Sequence, residues 1–193
     1  MNEPGPLVLL LALALAACSS PPADPPLAGA AIGGPFTLTD QDGRRQSSDA
    51  FAGRWRILYF GFANCPDVCP TDLAVIARGL AMFEKAEPVR GRQIQPIMIS
   101  VDPERDSPAR LKAFVANFHP RLIGLTGSPQ EIAAAARAHG VHFARALGAT
   151  GADYAVDHSR ITLLMDKEGK PVAMLPTEQG AEAVAGELER WVR

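Results

Sequence analysis

Residues 55–62, Trp-Arg-Ile-Leu-Tyr-Phe-Gly-Phe, are aromatic or apolar almost throughout, and a cysteine pair follows at once in Cys65-Pro66-Asp67-Val68-Cys69-Pro70. A strand with one wet face alternates; this run does not, so it reads as a central strand covered on both faces. Residues 70–86 then read as a helix, with Pro70 in its first turn and Leu73, Ile76, Ala77 and Leu80 on one side. The cysteines therefore lie where a buried strand hands over to a helix. A helix N-terminus offers unpaired N–H groups and the positive end of the dipole. Both favour thiolate over thiol, so lowered cysteine pKa values are expected. Three residues separate Cys65 from Cys69, against two in a thioredoxin redox motif. In a loop entering a helix, that spacing lets both sulfurs converge on one metal ion or join as a redox disulfide. Two thiolates are soft ligands, which favours Cu(I), with Zn²⁺ open if further ligands join.

The rest of the domain alternates strand and helix. Residues 36–39 alternate at period two into the turn Asp40-Gln41-Asp42-Gly43, with a return strand over 45–47. Strands are expected over 94–101, 122–125 and 141–146, and helices over 108–118 and 128–139, the latter capped by Ser128. Residues 161–165 and 172–175 read as a hairpin, and a helix from 177 or 178 to 192 closes the chain. A β-hairpin, then β-α-β-α-β-α, then a hairpin and a helix, implies an α/β fold with parallel crossovers. With the cysteine pair at its first strand–helix junction, the expected architecture is thioredoxin-like: a central mixed sheet flanked by helices, with an added N-terminal β-hairpin.

The N-terminus speaks to compartment. Residues 7–17, LVLLLALALAA, are an unbroken apolar run. A bilayer-crossing helix needs about 20 such residues, so the run has the size of a signal-peptide core. It ends at Leu15-Ala16-Ala17-Cys18, which looks like the lipobox of bacterial lipoproteins, although MNEPGP before it carries no Lys or Arg. Residues 1–17 are thus expected to be a lipoprotein signal peptide and Cys18 the lipidated residue. Acyl chains contribute about 0.8 kcal/mol per buried CH₂, so two or more give stable anchoring. Residues 18–34 are Pro- and Ala-rich and without apolar periodicity, a tether, and the folded domain is expected over 35–193. Lipid on Cys18 divides the three cysteines by role, leaving Cys65 and Cys69 to work together. The expected location is the periplasmic side of the cell membrane, at the inner membrane, where disulfides persist. With 19 basic and 21 acidic residues the chain lacks the charge of a nucleic-acid binder.

Four histidines are available: His119, His139, His142 and His158. His119, before Pro120, and His142, in a short strand, read as structural. His139 ends a helix before Gly140, where a charged imidazole complements the dipole. His158, in Tyr154-Ala155-Val156-Asp157-His158-Ser159, precedes a hairpin strand that a thioredoxin-like sheet places beside the cysteine junction. Asp157 is then placed to orient its ring or the loop. In Asp102-Pro103-Glu104-Arg105-Asp106 we read a turn, with Asp106 or Ser107 capping a helix and Arg105 pairing locally. Met98, Met165 and Met174 lie in expected strands and read as core.

The segment 59–70, Val101-Asp102-Pro103-Glu104-Arg105-Asp106-Ser107-Pro108 and Val156-Asp157-His158-Ser159 resemble, in order, the three signatures of the Sco/SenC copper proteins, across about residues 35–190. Ala63-Asn64 departs from the family's usual pair and alters no ligand position. The resemblance implies copper, as Cu(I) or Cu(II), bound by Cys65, Cys69 and His158. It also implies a tethered metallochaperone, not primarily an enzyme, that assists assembly of the copper A site of cytochrome c oxidase. The expected partners are the copper A subunit and other periplasmic copper or thiol-redox proteins. The competing reading is a periplasmic thiol–disulfide oxidoreductase or redox sensor that cycles Cys65 and Cys69. A peroxide-reducing site is disfavoured, since Ala63-Asn64-Cys65 lacks the Thr-x-x-Cys pattern.

Overall fold

A computed structural model describes residues 24–146 and 154–193. The segment expected to be a signal peptide, Cys18 and the first part of the expected tether lie outside the described residues. The elements run β1 (Thr37–Asp40), β2 (Arg45–Ser47), β3 (Trp55–Gly61), α1 (Val68–Ala86), α2 (Pro88–Gly91), β4 (Ile94–Ser100) and α3 (Pro108–Val115). Then come β5 (Ile123–Thr126), α4 (Pro129–Ala138), β6 (Phe143–Arg145), β7 (Val156–His158), β8 (Thr162–Met165), β9 (Pro171–Met174) and α5 (Ala181–Trp191).

Seven strands form one sheet in the order β2–β1–β5–β4–β3–β8–β9, and β6 and β7 pair apart from it. The crossovers β3-α1-β4 and β4-α3-β5 make β3, β4 and β5 parallel, while β1 and β8 join antiparallel. The sheet is therefore mixed, as expected. All seven residues of β3 and all seven of β4 are buried, which explains why β3 reads as an unbroken apolar run. Helix α1 packs so tightly on α5 that a Cβ at Gly79 would lie 2.6 Å from a methyl of Val184. Among the described residues, no helix is long and apolar enough to cross a membrane.

Several local expectations are corrected. Helix α1 begins at Val68, so Cys69 lies inside its first turn. The final helix is interrupted: residues 177–179 form a 3₁₀ turn, and Gly180 takes φ +95°, open to glycine at low cost, before α5 starts. The body also begins earlier than Pro35. Leu27 N–H donates to Val172 O and Gly33 N–H to Ala138 O, and Leu27 and Ile32 pack on the core. Met98 and Met165 are buried, but Met174, at the end of the edge strand β9, is 56% exposed. His139 does cap α4, donating from Nδ1 to Ala135 O at 2.8 Å. It is buried against the rings of Phe36 and Phe60, and that burial lowers its pKa, so it caps as a neutral ring.

Candidate metal centre

Strand β3 delivers the chain to the site at Gly61. A Cβ there would stand 2.6 Å from the Tyr59 ring and 3.1 Å from Cys69 Sγ, so the missing side chain is what lets the sulfur lie against the strand end. The next residues are pinned from a distance. Ala63 N–H donates to Asp106 Oδ2 at 2.9 Å, and the Ser100 hydroxyl donates to the same oxygen at 2.7 Å. Asp106 is fully buried, and burial raises its carboxyl pKa against these two donors. Arg110 donates to Asn64 Oδ1 at 2.6 Å. In the same turn Ser107 caps α3 and Arg105 pairs with Asp102 at 2.5 Å, as expected. The segment is structural, and its structural task is to hold the cysteine loop.

Cys65 and Cys69 are both free thiols. The Asp67 side chain makes no capping bond; instead Cys69 N–H donates to Cys65 Sγ at 3.4 Å. The sulfur of Cys65 thus takes the place of a capping oxygen in the first turn of α1. Cys65 is half-buried and Cys69 fully buried. Burial, reinforced by Cys65, pushes the Cys69 thiol up to about 12. This corrects the expected lowering: desolvation of the thiolate outweighs the dipole of the helix end.

His158 ends β7, a strand paired with β6 where a loop was expected. Its Nε2 lies 3.4 Å from Cys69 Sγ, across 89 positions of sequence. Its Nδ1 lies 3.1 Å from Ser159 O. The carbonyl accepts a hydrogen bond from Nδ1–H, so in the neutral ring the Nε2 lone pair is turned toward the sulfur. Tyr59 and Phe62 pack at near-right angles to the imidazole, with centroids at 6.5 and 6.0 Å. Asp157 is exposed, on the opposite side of the strand from His158, and the ring's partner is the Ser159 carbonyl.

The remaining histidines stand apart. His119 meets Glu84 and accepts from Arg121 N–H, and His142 is exposed. Among the described residues, no three His, Cys, Asp or Glu side chains already surround one metal-sized point. Cys69 and His158 are in contact, and Cys65 is one helical turn away with a half-exposed side chain. A soft ion entering from solvent would meet two sulfurs and an imidazole nitrogen, a donor set suited to copper. Sequence reasoning missed Tyr59, whose ring packs on the imidazole, and Asp72 and Arg160, which bond to each other and, through Asp72, to the Tyr59 hydroxyl.

The family model described as SCO1/SenC matches residues 24–193. A mitochondrial SCO1 homolog of Arabidopsis thaliana is 46% identical over 144 residues, covering 74% of this chain and 42% of that protein. The chain spans about half the length of the curated relatives it matches. Among solved structures, Arabidopsis thaliana ScoI with copper bound superposes with TM-score 0.75 at 39% identity, covering 82% of this chain and 97% of that one. BsSco is described with a disulfide switch and as a member of the Sco family of cytochrome c oxidase assembly proteins. It superposes with TM-score 0.60 at 27% identity, covering 81% of this chain and 91% of that one.

Proposed function

Because the chain belongs to the SCO1/SenC family, we propose that it is a copper-binding assembly factor that holds its metal through Cys65, Cys69 and His158. One observation carries this reading above all: Cys69 Sγ and His158 Nε2 meet at 3.4 Å although 89 positions separate them. Copper is the cargo. Cu(I) takes the two sulfurs as thiolates, so loading releases their protons and offsets the burial that keeps Cys69 neutral without metal. Imidazole is the harder donor and matters more for Cu(II). Release to a partner proceeds by ligand exchange, with the half-exposed Cys65 reached first. The partner is the copper A subunit of cytochrome c oxidase. Lipid on Cys18 and the Pro-rich residues after it hold the domain on the periplasmic side of the inner membrane. Copper-bound relatives and the lipobox-like Cys18 support this reading.

A second reading, thiol–disulfide exchange, rests on two free cysteines placed one helical turn apart. The reduced full chain, titrated with Cu(I) and Cu(II) as wild type and as His158→Ala, separates the two. The expected result is one copper per chain, with Cu(II) affinity strongly reduced in the variant, which loses the imidazole ligand, and Cu(I) affinity much less affected. Absence of tight copper binding together with robust disulfide reductase turnover overturns the copper reading.

A further inference from the structure

Asp72 lies in α1 one turn beyond Cys69 and is fully buried. A carboxylate without partners is costly there. One guanidinium meets both oxygens: Arg160 Nε lies 3.1 and 2.8 Å from Oδ1 and Oδ2, and its Nη2 donates to Oδ1. The Tyr59 hydroxyl donates to Oδ2 at 3.2 Å. Arg160 stands two residues after His158 and is partly exposed, so its planar fork reaches inward from the rim of the site. The ion pair therefore ties the helix that carries Cys69 to the segment that carries His158, across 88 positions. Tyr59 closes the arrangement, with its hydroxyl on Asp72 and its ring against the imidazole.

We propose that the Asp72–Arg160 pair is the positioning element of the copper site and keeps His158 in register with Cys69. The inference rests on the copper reading above. Strand β7 belongs to a two-stranded ladder outside the main sheet, and residues 159–161 link it to β8. Backbone pairing with β6 fixes the histidine's strand, but among the described residues that ladder forms a sheet of its own, apart from the one that leads into the cysteine loop. The clamp adds a direct side-chain link between the segment after His158 and the helix that carries Cys69. It also calls for arginine: a lysine supplies the charge but meets the two oxygens only as a point.

The full chain tests this as wild type, Arg160→Gln, Arg160→Lys, Asp72→Asn and His158→Ala. In the reduced, metal-free protein, the His158 ring-proton resonance is expected to be displaced by the Tyr59 and Phe62 rings. In Arg160→Gln and Asp72→Asn it moves toward the position of a free histidine. Cu(II) affinity falls about tenfold in both variants, and the thiolate-to-Cu(II) absorption weakens. Cu(I) affinity, carried by the sulfurs, changes far less, and Arg160→Lys recovers part of the Cu(II) loss. A wild-type resonance and Cu(II) affinity in Arg160→Gln and Asp72→Asn overturn the inference, as does an equal loss for both copper states. If His158→Ala weakens Cu(II) while the clamp variants do not, the inference alone fails. If His158→Ala leaves Cu(II) binding intact, the copper reading beneath it fails.

Discussion

The cysteine loop grows out of β3, buried along its whole length between β4 and β8, whereas His158 ends a three-residue strand that, among the described residues, pairs with the largely exposed β6 alone. The first half of the site inherits its position from the sheet. A buried carboxylate, Asp106, and a glycine, Gly61, then set where the loop and the Cys69 sulfur lie. Beyond its short ladder with β6, the second half is held around the ring by the Tyr59 and Phe62 rings, the Ser159 carbonyl and, through Arg160, one ion pair. A site built this way can lose its histidine while the cysteines stay in place.

The difference between the halves is open to measurement. Asp106→Ala strips two donors, Ala63 N–H and the Ser100 hydroxyl, of their shared acceptor in the buried half. It is expected to lower the unfolding free energy by about 3 kcal/mol, read from urea unfolding. A loss under 1 kcal/mol means that the loop does not depend on this carboxylate.

Alkaline pH acts next, on the same half. The buried Cys69 thiol is raised from 9.0 to about 12, so its unfolded form ionises first. Its contribution is therefore complete below pH 9 and declines as pH rises toward 12. The stability gap between wild type and Cys69→Ala should shrink by about 1.4 kcal/mol by pH 10. A gap that is flat from pH 8 to pH 10 means that the sulfur is not held neutral.

The smallest effect belongs to the histidine half. Tyr154, two residues before β7, donates its hydroxyl to Asp102 and is stacked by Arg105 and Arg145. Tyr154→Phe keeps the ring and should cost about 1 kcal/mol. A cost equal to that of Asp106→Ala would remove the contrast between the two halves.

Much of this was readable in advance where the signal was local. The unbroken run over 55–62 announced a strand covered on both faces, and β3 is one. Ser107 and Ser128 both cap the helices they precede, because a hydroxyl three residues from an N–H needs nothing from elsewhere in the chain. Strand β7 was not readable, since Val-Asp-His is too short to display a period and its partner precedes it by more than ten residues. The Met174 expectation failed for a related reason: strand content is local, but whether a strand lies at the edge depends on sheet order.

Asp106 shows the boundary most clearly. Its segment reads correctly as a turn, yet one of its two bonds goes to Ala63, 43 positions earlier. Asp72 and Arg160 carry no periodic or spacing signal at all, since ion pairing across 88 positions leaves no trace in either local pattern.

By itself, the sequence determined the layered α/β plan, the strand-to-helix junction and the pairing of Cys65 with Cys69 within it, because strand burial, capping and turn chemistry act over a few residues. The tertiary structure decided that Cys69 is buried and neutral, that the Nε2 of His158 faces its sulfur, and that Asp72 and Arg160 join the two halves. Those outcomes follow from desolvation and packing between distant segments, which depend on where the folded chain puts each group and not on what its neighbours in sequence are.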